Sequence, residues 1–345
     1  MASSIEYAWP DGESSNTPAT RDAWALLIGA GYDLPCTVKD AKELKRILLD
    51  PTRCAFPESK VIVKTDSEAN RTEILQSLTS LAELAEEESF VIIFFSGHGI
   101  KNPLTNDNYI MPNGYDIDQL STTAISGTEL GDKISAIKAK QVLLIFDCCF
   151  AGGFNQIGAS QTKSPTKGLQ SEPIPLPEDV IHRFTSGSGR FILTSSRKNE
   201  KSLTGKPVSI FTRALIEALC GCGEHQDNYV RVGDIITHCA SRVAYLSRDR
   251  QHPTCDWNGR AENYPVAFFA GGENTPKSLP QWLGKALPDS DDDQTDGWGS
   301  NPSFDTPRIG NVSGSVMINY GSGNVIGSIG GDFVNGNKIT KIRRG

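Results

Sequence analysis

Residues 90–100 read FVIIFFSGHGI and residues 141–153 read QVLLIFDCCFAGG. In both, a short unbroken apolar run ends in residues that carry chemistry. Such a run, too short for a helix and bounded by small or polar residues, suits a strand buried on both faces, as in parallel sheets. In parallel sheets, functional groups collect beyond the carboxyl ends of the strands. His98 lies just past one such end, and Cys148-Cys149 just past the other. A single histidine between glycines is more often a satisfied surface or core residue than a catalyst. A histidine and a cysteine sent to one sheet edge are a different matter, being the minimum for a nucleophilic thiol hydrolase. The imidazole draws the thiol proton or stabilises the thiolate, then protonates the leaving amine. Glycines at 97 and 99 fit a backbone that comes close to substrate, and the Gly99 N–H suits an oxyanion hole.

Working outward, the pattern repeats. Ala23–Ile28 is a buried strand closed by Gly29-Ala30-Gly31, and residues 37–49 carry apolar positions at helical spacing. Strands at 61–63 and 190–194, helices at 72–84, 130–137, 211–219 and 233–246, and a last strand at 264–269 complete the series. The alternation predicts an α/β fold, with a mostly parallel central sheet of about six strands and helices on both faces.

Composition narrows the function. The chain has 345 residues, 38% hydrophobic, a net charge of −7 and a pI near 5.4. That balance, with no basic stripe, argues against nucleic acid as a partner. The first residues lack the basic and apolar regions of a secretory signal, and no apolar stretch is long enough to span a membrane. The expected compartment is the cytoplasm, where the eight cysteines are thiols rather than a disulfide framework.

Residues 1–21 read as a loose arm, and 153–188, rich in Pro, Ser, Thr and Gly, as a long exposed loop. An acidic, Pro-containing linker spans 271–309. The tail, 310–345, repeats every 13 residues, with Gly-Asn at 310, 323 and 336 and β-branched residues in register. A fixed period is a structural signal, and this one suits stacked β-arcs of an amyloid-like assembly motif; the alternative is a disordered Gly/Ser tail.

Three blocks together, ALLIGAGYDLPCTVKDA (25–41), VIIFFSGHGI (91–100) and LLIFDCCFAGG (143–153), resemble the signature blocks of caspase-like cysteine peptidases, closest to the metacaspase branch and of a fungal type. The segments FILTSSRKNEKS…SIFTRALIEAL (191–219) and DIITHCASRV…QHPTC (234–255) resemble the small-subunit half of that fold. The resemblance covers about residues 22–270: a large-subunit-like part to 152, a processing loop at 153–188, and a small-subunit-like part from 189. It implies Cys149 as nucleophile, His98 as base, and the backbone N–H groups of Gly99 and Cys149 as the oxyanion hole. Cys148 is a decoy for the nucleophile.

The family's acidic pocket maps onto Asp40, Ser96 and Asp147, which implies protein or peptide substrates cleaved after Arg or Lys. Against this, Asp147 could cap the following helix and Asp40 could be a solvated helix residue. An enzyme with that specificity could cut its own loop at Lys163, Lys167 or Arg183. Activation by proximity in programmed cell death, with homotypic assembly through the tail, extends the same reading.

The chain also departs from the pattern. Gly127-Thr128 stand where the family's calcium-binding acidic pair would be, and Asp107, Asp116, Asp118 and Asp132 have no diagnostic spacing. No cofactor is expected to be required, and calcium dependence is doubted. Cys220, Cys222, His225, His238 and Cys239 lack the paired spacing of a zinc site. Phe150-Ala151 replace the family's His-Ser, and an apolar setting alone raises a thiol pKa. The rival expectation is therefore a caspase-like scaffold with a silent site, acting through its tail.

Overall fold

The computed structural model describes residues 22–101, 107–148, 189–197, 200–223, 229–257, 263–268, 279–281, 283, 333–335 and 338–340. Strand β1 (Ala23–Gly29) is followed by helix α1 (Pro35–Leu49), β2 (Val61–Thr65), α2 (Arg71–Leu84) and β3 (Phe90–Ser96). Next come the short strands β4 (His98–Lys101), β5 (Asn108–Met111) and β6 (Ile125–Ser126), with the one-turn α3 (Leu120–Thr123) between β5 and β6. Then follow α4 (Gly127–Ser135), β7 (Gln141–Asp147), β8 (Arg190–Thr194), α5 (Ile210–Leu219), β9 (Tyr229–Arg231), α6 (Val232–Leu246), β10 (Thr254–Trp257) and β11 (Pro265–Phe268).

The central sheet has six strands in the order β10-β8-β7-β3-β1-β2. All adjacent pairs are parallel except β10, which runs antiparallel to β8 at one edge. Strand count and parallel character are as the sequence predicts. The sixth strand differs: the run at 264–269 forms β11, which pairs with β9 in a separate two-stranded sheet, and β10 takes the edge. β10 reads Thr-Cys-Asp-Trp, half-buried throughout, too short and mixed to stand out as a strand.

Side chains alternate across the sheet as a two-residue period requires. Ala25 and Leu27, Ile92 and Phe94, and Leu143 and Ile145 face a layer built by α1, α5 and α6. Leu26 and Ile28, Ile93 and Phe95, and Leu144 and Phe146 face α2 and α4. Each large apolar side chain so buried is worth about 1.5–3 kcal/mol. Arg190 on β8 crosses the second layer and donates to the carbonyls of Ile134, Ile137 and Ala139, closing the end of α4.

α4 begins at 127, earlier than the apolar spacing suggests, because Ser126 caps it by accepting from the Glu129 N–H at 3.1 Å. Among the described tail residues, 333–335 and 338–340 pair antiparallel.

Candidate active site

The site is built at the carboxyl ends of three neighbouring strands. Gly29 pairs with Ser96, and Ser96 with Asp147, so β1, β3 and β7 end side by side. By alternation Ser96 and Asp147 belong to the α1/α5 face. Asp40 reaches the same place from α1, and Ser209, the N-cap of α5, from the other side.

Asp40, Ser96 and Asp147 are completely buried and joined in one network. Ser96 Oγ donates to Asp40 Oδ2 at 2.6 Å, and the Ser209 backbone N–H donates to Asp40 Oδ1 at 2.8 Å. Ser202 Oγ donates to Asp147 Oδ1 at 2.6 Å; the Ser209 and Thr212 hydroxyls both donate to Asp147 Oδ2. The three residues that the sequence groups are therefore brought together. Asp40 is no solvated helix residue, and the Asp147 carboxylate engages the 202–212 segment. Ser202, Ser209 and Thr212 are site residues that sequence reasoning missed. The one signal for them was Ser209, a capping residue directly before an apolar helix.

His98 leaves β3 through Gly97 and enters β4, paired with Met111 of β5. The β4-β5-β6 sheet was not expected, because its strands are only two to four residues long. The fold itself requires glycine at 97: a Cβ there would lie 2.8 Å from the Ala30 carbonyl oxygen and 2.8 Å from the Phe95 ring. That closeness comes from the Ala30 N–H bonding the Ser96 carbonyl at 2.8 Å. Gly99, the oxyanion candidate, is buried in β4 opposite Ile110.

The His98 side chain is 1% exposed. Its Nε2 lies 2.9 Å from both oxygens of Asp33, and its Nδ1 is buried with no hydrogen-bond partner among the described residues. The Tyr115 ring meets the imidazole edge-on, centroids 6.5 Å apart. The hydrogen bond from His98, against partial burial, holds the Asp33 carboxyl below its usual range. Burial, then the Asp33 charge, pushes the Tyr115 hydroxyl up. Asp33 had no sequence signal beyond being a carboxylate just past the end of β1.

Cys148 is buried, 1% exposed, in the α2/α4 layer with Phe95 and Phe146. Cys149 and the 153–188 segment with Lys163, Lys167 and Arg183 lie outside the described residues.

The remaining cysteine cluster is otherwise engaged. Arg53 Nη1 donates to Cys220 Sγ at 2.8 Å, and His238 Nε2 lies 3.3 Å from Glu217. Burial, reinforced by Glu217, pushes the Cys222 thiol up to about 12 and raises that of Cys239. Asp116 accepts from the Asp118 N–H and from Gln119, closing a turn. No described helix is long and apolar enough to cross a membrane.

A family model described as "Caspase domain" matches residues 22–264. Metacaspase-8 of Arabidopsis thaliana is 26% identical over 159 residues, 41% of this chain and 42% of that protein. Metacaspase-6 of the same plant is 28% identical over 165 residues, covering 43% and 44% respectively. The chain thus spans less than half the length of these curated relatives. A solved structure of a Geobacter sulfurreducens protein aligns with a TM-score of 0.47 and 15% identity, covering 68% of this chain and 92% of that one.

Proposed function

The chain belongs to the caspase-domain family, and from that premise we propose that it is a cysteine endopeptidase of the metacaspase kind, cleaving after Arg or Lys. Cys149 is the nucleophile. The burial of Cys148 in the opposite core layer supports this choice between the two neighbours. His98 takes the thiol proton, the sulfur attacks the scissile carbonyl, and the N–H groups of Gly99 and Cys149 meet the developing oxyanion. His98 then returns the proton to the amine as the C–N bond breaks, and water hydrolyses the thioester. No cofactor takes part in these steps.

The observation that carries this reading is the convergence of Asp40, Ser96 and Asp147 at the end of β3, two positions before His98. A substrate guanidinium or ammonium would meet these carboxylates with charge-assisted hydrogen bonds. The chain's own basic residues Lys163, Lys167 and Arg183 fit that specificity, so self-processing in 153–188 belongs to the proposal. So does activation by proximity in programmed cell death, through assembly of the 310–345 tail.

A second reading, a caspase-like scaffold with a silent site, draws on the complete burial of Asp40 and Asp147: the pocket floor is closed by Ser202 and Ser209. Fluorogenic peptides ending in Arg, Lys or Asp separate the two. Activity after Arg or Lys that disappears in Cys149→Ala and survives in Cys148→Ala supports the peptidase. Parallel lanes with calcium and with chelator test the cofactor statement. Activity after Asp would remove the acidic-pocket argument, and silence in every lane favours the scaffold.

A further inference from the structure

We propose that Asp33 is the positioning residue for His98: it fixes the imidazole with the hydrogen on Nε2 and leaves Nδ1 as the proton-accepting nitrogen. This rests on the cysteine-peptidase reading.

The chemistry follows from donor rules. An ionised carboxylate only accepts, so the nitrogen that contacts both Asp33 oxygens at 2.9 Å must carry a hydrogen. In the neutral ring the lone pair is then on Nδ1, the buried atom that has no partner among the described residues. An orphaned polar atom in a 1% exposed side chain costs stability and calls for a reason. A base waiting for a proton is such a reason. Once Nδ1 is protonated, the adjacent carboxylate stabilises the imidazolium.

The acceptor is itself held. Gly31 adopts φ +125°, and its N–H bonds Asn113 Oδ1 at 2.7 Å. The Asn113 side chain bonds in turn to the Asp66 carbonyl, and its N–H bonds the Ala69 carbonyl at 2.8 Å. The Leu34 N–H closes back on the Gly31 carbonyl at 2.9 Å before α1 starts at Pro35. Asn113 lies two residues past Met111, which pairs with His98, so one scaffold carries both ends of the contact.

Asp33 is 64% exposed, so the pair adds little to stability; its weight falls on the ring's tautomer and orientation. Among the described residues, Tyr115 beyond β5 and Asp147 and Cys148 at the end of β7 are titratable groups on elements near His98. Tyr115, with its hydroxyl pushed up, is uncharged near neutrality. Asp147 is engaged by Ser202, Ser209 and Thr212.

The test uses the full chain, with Asp33→Ala and Asp33→Asn. Two quantities are read: peptide hydrolysis, and the pH profile of Cys149 alkylation by iodoacetamide, resolved by mass spectrometry from the other cysteines. Removing the carboxylate that orients a histidine costs about 10⁴-fold where the nucleophile is a hydroxyl. A thiol ionises more readily, so here kcat should fall about 10–100-fold in Asp33→Ala, with KM nearly unchanged. The alkylation profile should move to higher pH. Asp33→Asn keeps the shape but can donate to Nε2 and so favour the wrong tautomer, so its kcat should be no better than that of Asp33→Ala, with the profile also shifted. Wild-type kcat and profile in Asp33→Ala overturn the inference. So does a loss of kcat with an unshifted profile in both variants, the pattern of a structural defect. If wild-type Cys149 alkylates like an ordinary thiol and no peptide is cut, the peptidase reading falls, and this inference with it.

Discussion

Two regions of the molecule bury carboxylates by different means. At the sheet edge, Asp40 and Asp147 accept from the Ser96, Ser202, Ser209 and Thr212 hydroxyls and one backbone N–H. Between α5 and α6, Glu217, 2% exposed, accepts from Arg213 at 3.2 Å and from Arg242 at 2.7 and 3.1 Å, with His238 at 3.3 Å. Burial alone would raise the Glu217 pKa; His238 and Arg242 overcome it and hold the group at about 2. The Glu217 cluster closes its charge within the protein, which suits a structural clasp. At the sheet edge the donors named are neutral hydroxyls and an amide, and the proposed basic specificity assigns these carboxylates to substrate.

The largest expected effect breaks the clasp. Glu217→Ala leaves two guanidinium groups facing an emptied site, which should cost about 3–5 kcal/mol of stability. Denaturant unfolding measures it, and the remaining folded protein should keep its kcat. Acid tests the same clasp without a mutation. A group whose folded pKa is depressed contributes stability that is complete above its ordinary value, near 4.5, and lost as pH falls toward 2. Roughly 3 kcal/mol should disappear over that window, by the standard conversion of pKa units. Asp33 has the same sign, but its exposure leaves it a small part of the effect. In Glu217→Gln the same acid titration should be flatter.

Asp147→Asn sharpens the other side. Ser and Thr hydroxyls can turn from donor to acceptor, so the fold should tolerate the amide. Cleavage after Arg or Lys should fall about 100-fold in kcat/KM, or about 2.7 kcal/mol. A loss of stability as large as that of Glu217→Ala, with kcat/KM intact, would make the two regions alike and end the contrast.

Much of this arrangement is legible in the amino-acid sequence. β1, β3, β7 and β8 are apolar runs of five to seven residues, and α1 and α2 show helical spacing, so the sheet and both layers follow from pattern. The rule that chemistry gathers past parallel strand ends singled out His98 and the cysteine pair, and the resemblance added Asp40, Ser96 and Asp147. What escaped was short or distant in sequence. β4, β5, β6, β9 and β10 have no more than four residues each, below the length at which alternation separates from chance. Asp33 meets His98 across 65 positions, and Ser209 meets Asp40 across 169; no local pattern encodes such pairs. The packing demand at Gly97 was not legible, because a glycine looks the same whether it faces a substrate or the Ala30 carbonyl.

The smallest expected effect decides between adjacent thiols. Cys148 belongs to the α2/α4 layer with Phe95 and Phe146, on the side of β7 opposite Asp147. Cys148→Ala removes a small buried group from well-packed surroundings and should cost about 1 kcal/mol of stability. It leaves the acidic network and the Asp33–His98 contact untouched, so kcat should stay within about twofold of wild type, with peptide hydrolysis and thermal unfolding as the two measurements. Cys148→Ser sharpens the result, since a hydroxyl in that layer must find an acceptor or add a desolvation cost of about 1–3 kcal/mol. If instead Cys148→Ala abolishes hydrolysis while the protein stays folded, the alternation of β7 does not continue to the reacting sulfur. The contrast between a catalytic face and a packing face of the sheet would then have to be redrawn with Cys148 on the catalytic side.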